Sequence, residues 1–219
     1  MKIRTINDLQ DLIDKELGWR KKELISIKSN VVQSRKFAKN IAIRSGITLL
    51  YAHWEGAIKN IATYYLCFVS CRKIAYKDLK KNFLAISINR ELREYKETNK
   101  ATLHNKIINM LFDRMEETSN IPYEDIIKTN SNLNSNVFSE IMCTIGLDSS
   151  QYESSYTLID EVLLNMRNKI AHGERLEEIS LDEERFIEIY DIILNLINLF
   201  ANQVSNAACL EEYKVTEGI

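Results

Sequence analysis

The chain has 219 residues, 45% apolar and 27% charged, which excludes a disordered or collagen-like protein and fits one large globular domain. One proline and six glycines leave long stretches without a helix breaker, so the composition predicts an all-helical fold. The net charge of −2 excludes a globally basic protein, yet nine Lys/Arg face two Asp/Glu over 15–44 and nine face four over 72–100, whereas three face eleven over 173–219. The first two stretches either draw a polyanion to one surface or lie scattered over solvated helix faces.

The N-terminus, Met1-Lys2-Ile3-Arg4, lacks the apolar run of a signal peptide, and the protein is expected in the cytoplasm. Thr5 and Asp8 make an N-cap signature, and Ile6, Leu9, Leu12, Ile13 and Leu17 follow at helical spacing. Leu24, Ile25, Ile27 and Val31 carry that pattern past Gly18, predicting one long or briefly broken helix over 6–33.

A second long helix is predicted over 36–72, apolar on more than one side and therefore central and buried. Arg44, His53, Glu55 and Lys59 interrupt it, so it spans no membrane. Within it, His53 and Glu55 need partners if buried: either they hydrogen-bond neighbouring helices, or they stand close to a reactive site. Cys67 and Cys71, one turn apart among apolar residues, read as reduced core thiols. No histidine or second cysteine pair lies at ligand spacing, so neither a metal nor a cofactor is expected.

Residues 76–97 form a basic stretch, helical around Leu79, Phe83, Leu84 and Ile86, and 98–104 break the pattern. A helix over 105–117 groups Ile107, Ile108, Leu111 and Phe112 on one side. Pro122 forces a break, and 125–128 read as extended. Residues 130–135 form a turn with Ser135 as candidate N-cap, and a short helix ends at Gly146. The penultimate helix starts near Thr157, with Asp160 three residues on, and ends at Gly173. Ser180 with Glu183 reads as the capping box of a last helix, and the tail after about 207 as frayed. The short connection predicts that these last two helices are antiparallel neighbours. We take 1–219 as one domain, its core at about 6–72 and 156–205, with 73–150 as a helical elaboration.

The chemistry concentrates at Arg167-Asn168-Lys169-Ile170-Ala171-His172-Gly173. An arginine is permanently charged and forks onto phosphate oxygens, and a histidine exchanges protons near neutral pH. Such a pair could cut RNA without a metal: the 2′-OH is the nucleophile, histidine moves protons, and arginine steadies the pentacoordinate phosphorus. On a continuous helix, five residues turn the side chains about 140° apart. The pair is therefore expected to meet only if the helix unwinds at 171–173, where Gly173 permits a turn. Asn168 offers an amide to orient the histidine or bind substrate. One histidine cannot be base and acid at once, so the chemistry also predicts a homodimer with two pairs near its axis.

This segment resembles the Arg-x4–6-His signature of the HEPN superfamily. Tyr51-Ala52-His53-Trp54-Glu55-Gly56 and the stretch from Ser131 to Asp148 are similar to stand-alone HEPN proteins of the MAE type, and the likeness covers about 35–205. The resemblance implies an all-α bundle with two long N-terminal helices, a helical insertion and two C-terminal helices. It implies a metal-independent endoribonuclease, a toxin or antiphage effector cleaving tRNA or other RNA, restrained by an antitoxin or defence-system partner. Arg167 and His172 would be catalytic, with Asn168, Glu55 and His53 supporting. The alternative is a non-catalytic HEPN module that binds a partner protein or a nucleotide.

Overall fold

The computed structural model describes residues 2–89, 101–174 and 181–215, without the side chains at 103, 106 and 107. Helix α1 (Ile6–Gln33) opens on the expected capping box: the Asp8 amide donates to Thr5 Oγ1 at 3.0 Å, and the Thr5 amide donates to the Asp8 carboxylate at 2.9 Å. It runs through Gly18 without a break, because Leu9, Ile13, Leu24, Ile27 and Val31 on one face are all buried. Helix α2 (Lys36–Arg72) is the central element, with Trp54, Tyr65 and Phe68 wholly out of solvent. The last helix, here α7 (Glu183–Cys209), packs with α1 and α2 into the main layer. Among the described residues there are seven α-helices and no strand, so the fold is an all-α bundle as expected. None of these helices is long and apolar enough to cross a membrane.

After α2 the chain forms a 3₁₀ turn (Tyr76–Asp78), α3 (Lys81–Ser87), α4 (Ala101–Arg114) and α5 (Ser135–Ile145). Helix α3 packs on α5, and α5 packs on α2. The later half of the expected basic stretch, with Thr98 to Lys100, lies outside the described residues. Residues 101–104 are helical where a break was expected, and α4 ends at Arg114 rather than 117. Ile108 and Phe112 stand exposed on it, and the Ile107 side chain lies outside the described residues.

Four boundaries differ from expectation for local reasons. Residues 124–126 turn instead of extending, with Asp125 in the left-handed region at φ 56°. Asn134, not Ser135, caps α5, accepting from the Val137 amide at 2.8 Å; the Ser135 hydroxyl is taken by Asp160, which also accepts the Ser135 amide at 2.7 Å. Asp182 caps α7 through the Arg185 amide at 2.8 Å, whereas Ser180 lies outside the described residues. The tail is anchored: Tyr213 is buried, 6.0 Å ring to ring from Phe68, and its carbonyl accepts from the Lys80 amide at 2.9 Å.

The penultimate helix is irregular. A 3₁₀ turn (Ser150–Ser155) leads into a π-helical stretch (Leu158–Leu164), where the Asn165 amide reaches five residues back to the Asp160 carbonyl. Regular winding resumes only in the short α6 (Asn165–Ala171), which packs on α2. Such wide turns sit where a helix must be re-phased against its neighbour.

Candidate active site

Arg167 leaves α6 toward α2. Its guanidinium carbon lies 4.2 Å above the Tyr51 ring, and Nη2 donates to the Ser131 carbonyl. Nε is buried and finds no acceptor among the described residues. The arginine is half-buried and stacked on an aromatic face, an arrangement a lysine could not reproduce.

Tyr51 is buried, and its hydroxyl accepts the Leu133 amide at 2.7 Å. Burial pushes this phenol above its ordinary range, the Leu133 amide and Arg167 oppose that shift, and the Glu55 charge adds to it. It remains a neutral phenol at physiological pH. One turn further on, the half-buried Glu55 accepts from the buried Thr129 hydroxyl. Both α2 side chains thus hold the loop 129–133, in which Asn130 and Ser131 occupy successive left-handed conformations at φ 52° and 53°. Non-glycine residues are held there only by surrounding contacts. Here Glu55, Tyr51 and Arg167 supply them.

His172 is exposed and stands at the end of α6. The expected unwinding does not precede it: its amide still donates to the Asn168 carbonyl at 3.0 Å. The turn comes one residue later, at Gly173 with φ 80°. The Gly173 amide then donates to Ile170 at 3.1 Å and the Glu174 amide to Lys169 at 3.0 Å, a Schellman ending. His172 therefore stays on the helical spiral, about 140° around from Arg167. Arg167 faces inward and His172 faces solvent, so one chain does not bring them together. Asn168 meets His172 through its carbonyl rather than its amide.

Arg44 was not singled out by the sequence. From α2 it donates to the carbonyls of Glu174 and, at 3.4 Å, Ile170, so it clamps the turn that carries His172. The available signal was spacing: Arg44, Thr48, Tyr51 and Glu55 repeat every three or four residues as a polar stripe on an otherwise apolar helix.

His53 belongs elsewhere. It is 4% exposed, with Nδ1 3.4 Å from Arg20 Nη1, Nε2 3.3 Å from a Glu23 carboxylate oxygen and its ring 5.3 Å from Trp19. These partners all lie on α1, so His53 joins helices, as the first of its two readings held. The basic stretch 15–44 is partly neutralised by the acidic last helix, since Lys28 pairs with Asp191 at 2.8 Å and Lys39 with Glu183. Among the described residues, no group of three or more His, Cys, Asp or Glu is placed to hold a metal ion.

An all-helical bundle with Arg-x4-His closing a short helix against its central helix defines a protein of the HEPN class. The chain belongs to the RiboL-PSP-HEPN family, whose model matches residues 15–206. That model carries the RiboL-PSP label and not the MAE type that the resemblance suggested. Searches of curated proteins and of solved structures returned no match. Membership in this family points to an RNase-type or nucleotide-related function.

Proposed function

We propose that this protein is a metal-independent endoribonuclease that acts as a homodimer, cleaving RNA by attack of the 2′-OH on the adjacent phosphorus. The observation that carries the reading is the disposition of the pair: a preset arginine, stacked on Tyr51, and an exposed histidine at the end of the same helix. Because the two diverge within one chain, a second copy brings the site together. Two histidines near a two-fold axis serve as base and acid, and the arginines stabilise the charged phosphorane. Asn168 supports by holding the His172 amide, Glu55 by holding the loop under Arg167. In this reading the protein works in the cytoplasm as a toxin or antiphage effector on tRNA or another cellular RNA, under the control of an antitoxin or defence-system partner.

The test is cleavage of a mixed cellular RNA in EDTA, with analysis of the product ends. The expected products carry 2′,3′-cyclic phosphates, and His172→Ala loses at least a hundredfold in rate while its thermal unfolding is unchanged. Undiminished cutting by that variant would remove His172 from the mechanism.

A further inference from the structure

The opposite end of α2 holds a feature that the ribonuclease reading does not use. A cavity of about 770 Å³ opens between the N-terminal arm, the end of α2 and the segment after α4. Lys2, Arg4, Arg72 and Lys73 line it, against the single carboxylate of Glu124, in a chain whose net charge is negative. Ser70 at its wall stands nineteen positions beyond Tyr51 on α2, about 28 Å along the helix, so the cavity is distinct from the Arg167 site.

Two of these cations, Arg72 and Lys73, have partners that place them. The Arg72 guanidinium lies 4.9 Å over the Phe68 ring, Nη2 donates to the Arg4 carbonyl, and Nε is buried without an acceptor among the described residues. Lys73 ends α2 in the left-handed conformation, φ 52° and ψ 42°, where glycine is the usual residue. Its ammonium stands 3.4 Å from the Ser119 carbonyl. The facing wall is fastened to α2 by the buried Ser70 hydroxyl, which donates to the Ile121 carbonyl at 2.7 Å. That wall continues through Pro122 to the half-buried Tyr123, an aromatic side chain lining the cavity beside the cations.

We propose that this cavity is a second binding site, for a small organic diphosphate of mononucleotide size. Paired phosphates match clustered Lys and Arg heads, and a flat heterocycle matches the Tyr123–Pro122 side. The volume lies within the range of small-molecule sites and suits one nucleotide. A longer strand would use the charge but not the facing walls of the cavity. This inference does not rest on the ribonuclease reading.

The test is calorimetric titration of the full-length protein with ADP and, separately, inorganic pyrophosphate at matched ionic strength. ADP is expected to bind at least tenfold more tightly than pyrophosphate. Lys73→Gly removes a charge and relaxes the left-handed backbone, so it should fold at least as well as the parent. It is expected to weaken ADP about tenfold, and Arg4→Ala to do the same. His172→Ala should bind ADP unchanged, which separates this proposal from the fate of the ribonuclease reading. Absence of ADP binding would overturn the proposal, as would equal affinity for pyrophosphate. So would single-stranded RNA binding that falls with Lys73→Gly while ADP does not bind, since the cavity would then be part of an RNA track.

Discussion

The guanidinium of Arg20 fills the space that a β-carbon on Gly56 would need, with Nη2 only 2.6 Å from that position. Arg20 cannot easily withdraw, being 5% exposed, bonded through Nε and Nη2 to Glu16, and donating to the His53 carbonyl at 3.3 Å. Gly56→Ala is therefore expected to destabilise the fold by about 1–3 kcal/mol, measured as a lower urea midpoint. An unchanged midpoint would mean that the ion-pair cluster repacks freely.

The same cluster makes stability depend on pH. Burial and then Arg20 hold the His53 imidazole below its usual range, with Glu23 and Glu16 opposing. The unfolded chain binds this proton near pH 6.5, and the native state only at lower pH. Stability is therefore complete above about pH 7.5 and declines as pH falls through 6.5 toward the native value. Hydrogen bonds from Arg20, Asn60 and Trp19 outweigh burial to hold Glu16 below its usual range, so a second loss follows below about pH 4.5. Thermal unfolding at pH 7.5, 6.5 and 5.5 checks the first step. His53→Gln should flatten it.

Tyr51→Phe keeps the ring beneath Arg167 and removes only the hydroxyl. The buried Leu133 amide then loses its acceptor, a cost of about 1–3 kcal/mol. Proteolysis in the 129–133 loop should quicken, and RNA cleavage should fall several-fold through misplaced Arg167. Unaltered protease resistance would show that the hydroxyl does not hold the loop.

On the stripe that carries Arg44 and Tyr51, Phe37 is 82% and Ile41 68% exposed. In the proposed dimer a second copy covers them. The double substitution Phe37→Glu, Ile41→Glu should halve the mass seen by light scattering and abolish cleavage without lowering the unfolding temperature. A dimer that survives it must use another face.

The three long helices were legible because their apolar periodicity is strong and their interiors lack proline. The Thr5–Asp8 box and Gly146 even marked ends. Caps misread by a residue or two, such as Ser135 for Asn134, arose where a distant carboxylate, here Asp160, claimed the side chain. The anchored tail was missed because Tyr213 is one aromatic residue in a polar segment and its socket lies on Phe68. At the candidate site, residue types singled out Arg167 and His172, but no local pattern tells that Arg167 rests on Tyr51 or that Arg44 clamps the His172 turn. Those are long-range contacts.

The π-helical stretch over Leu158–Leu164 has an evolutionary and engineering consequence. It works as a phase adjuster between the buried start of the penultimate helix and the end that carries Arg167 and His172. A residue removed there is absorbed as the stretch returns to regular winding, whereas one removed from the regular turn of α6 ahead of Arg167 would rotate everything downstream by about 100°. Arg167 would swing off Tyr51, although every residue of the pair was still present and every core contact upstream intact. Within this fold, a single codon at 165 or 166 can therefore separate a chain that merely carries the Arg-x4-His signature from one that sets its arginine on Tyr51.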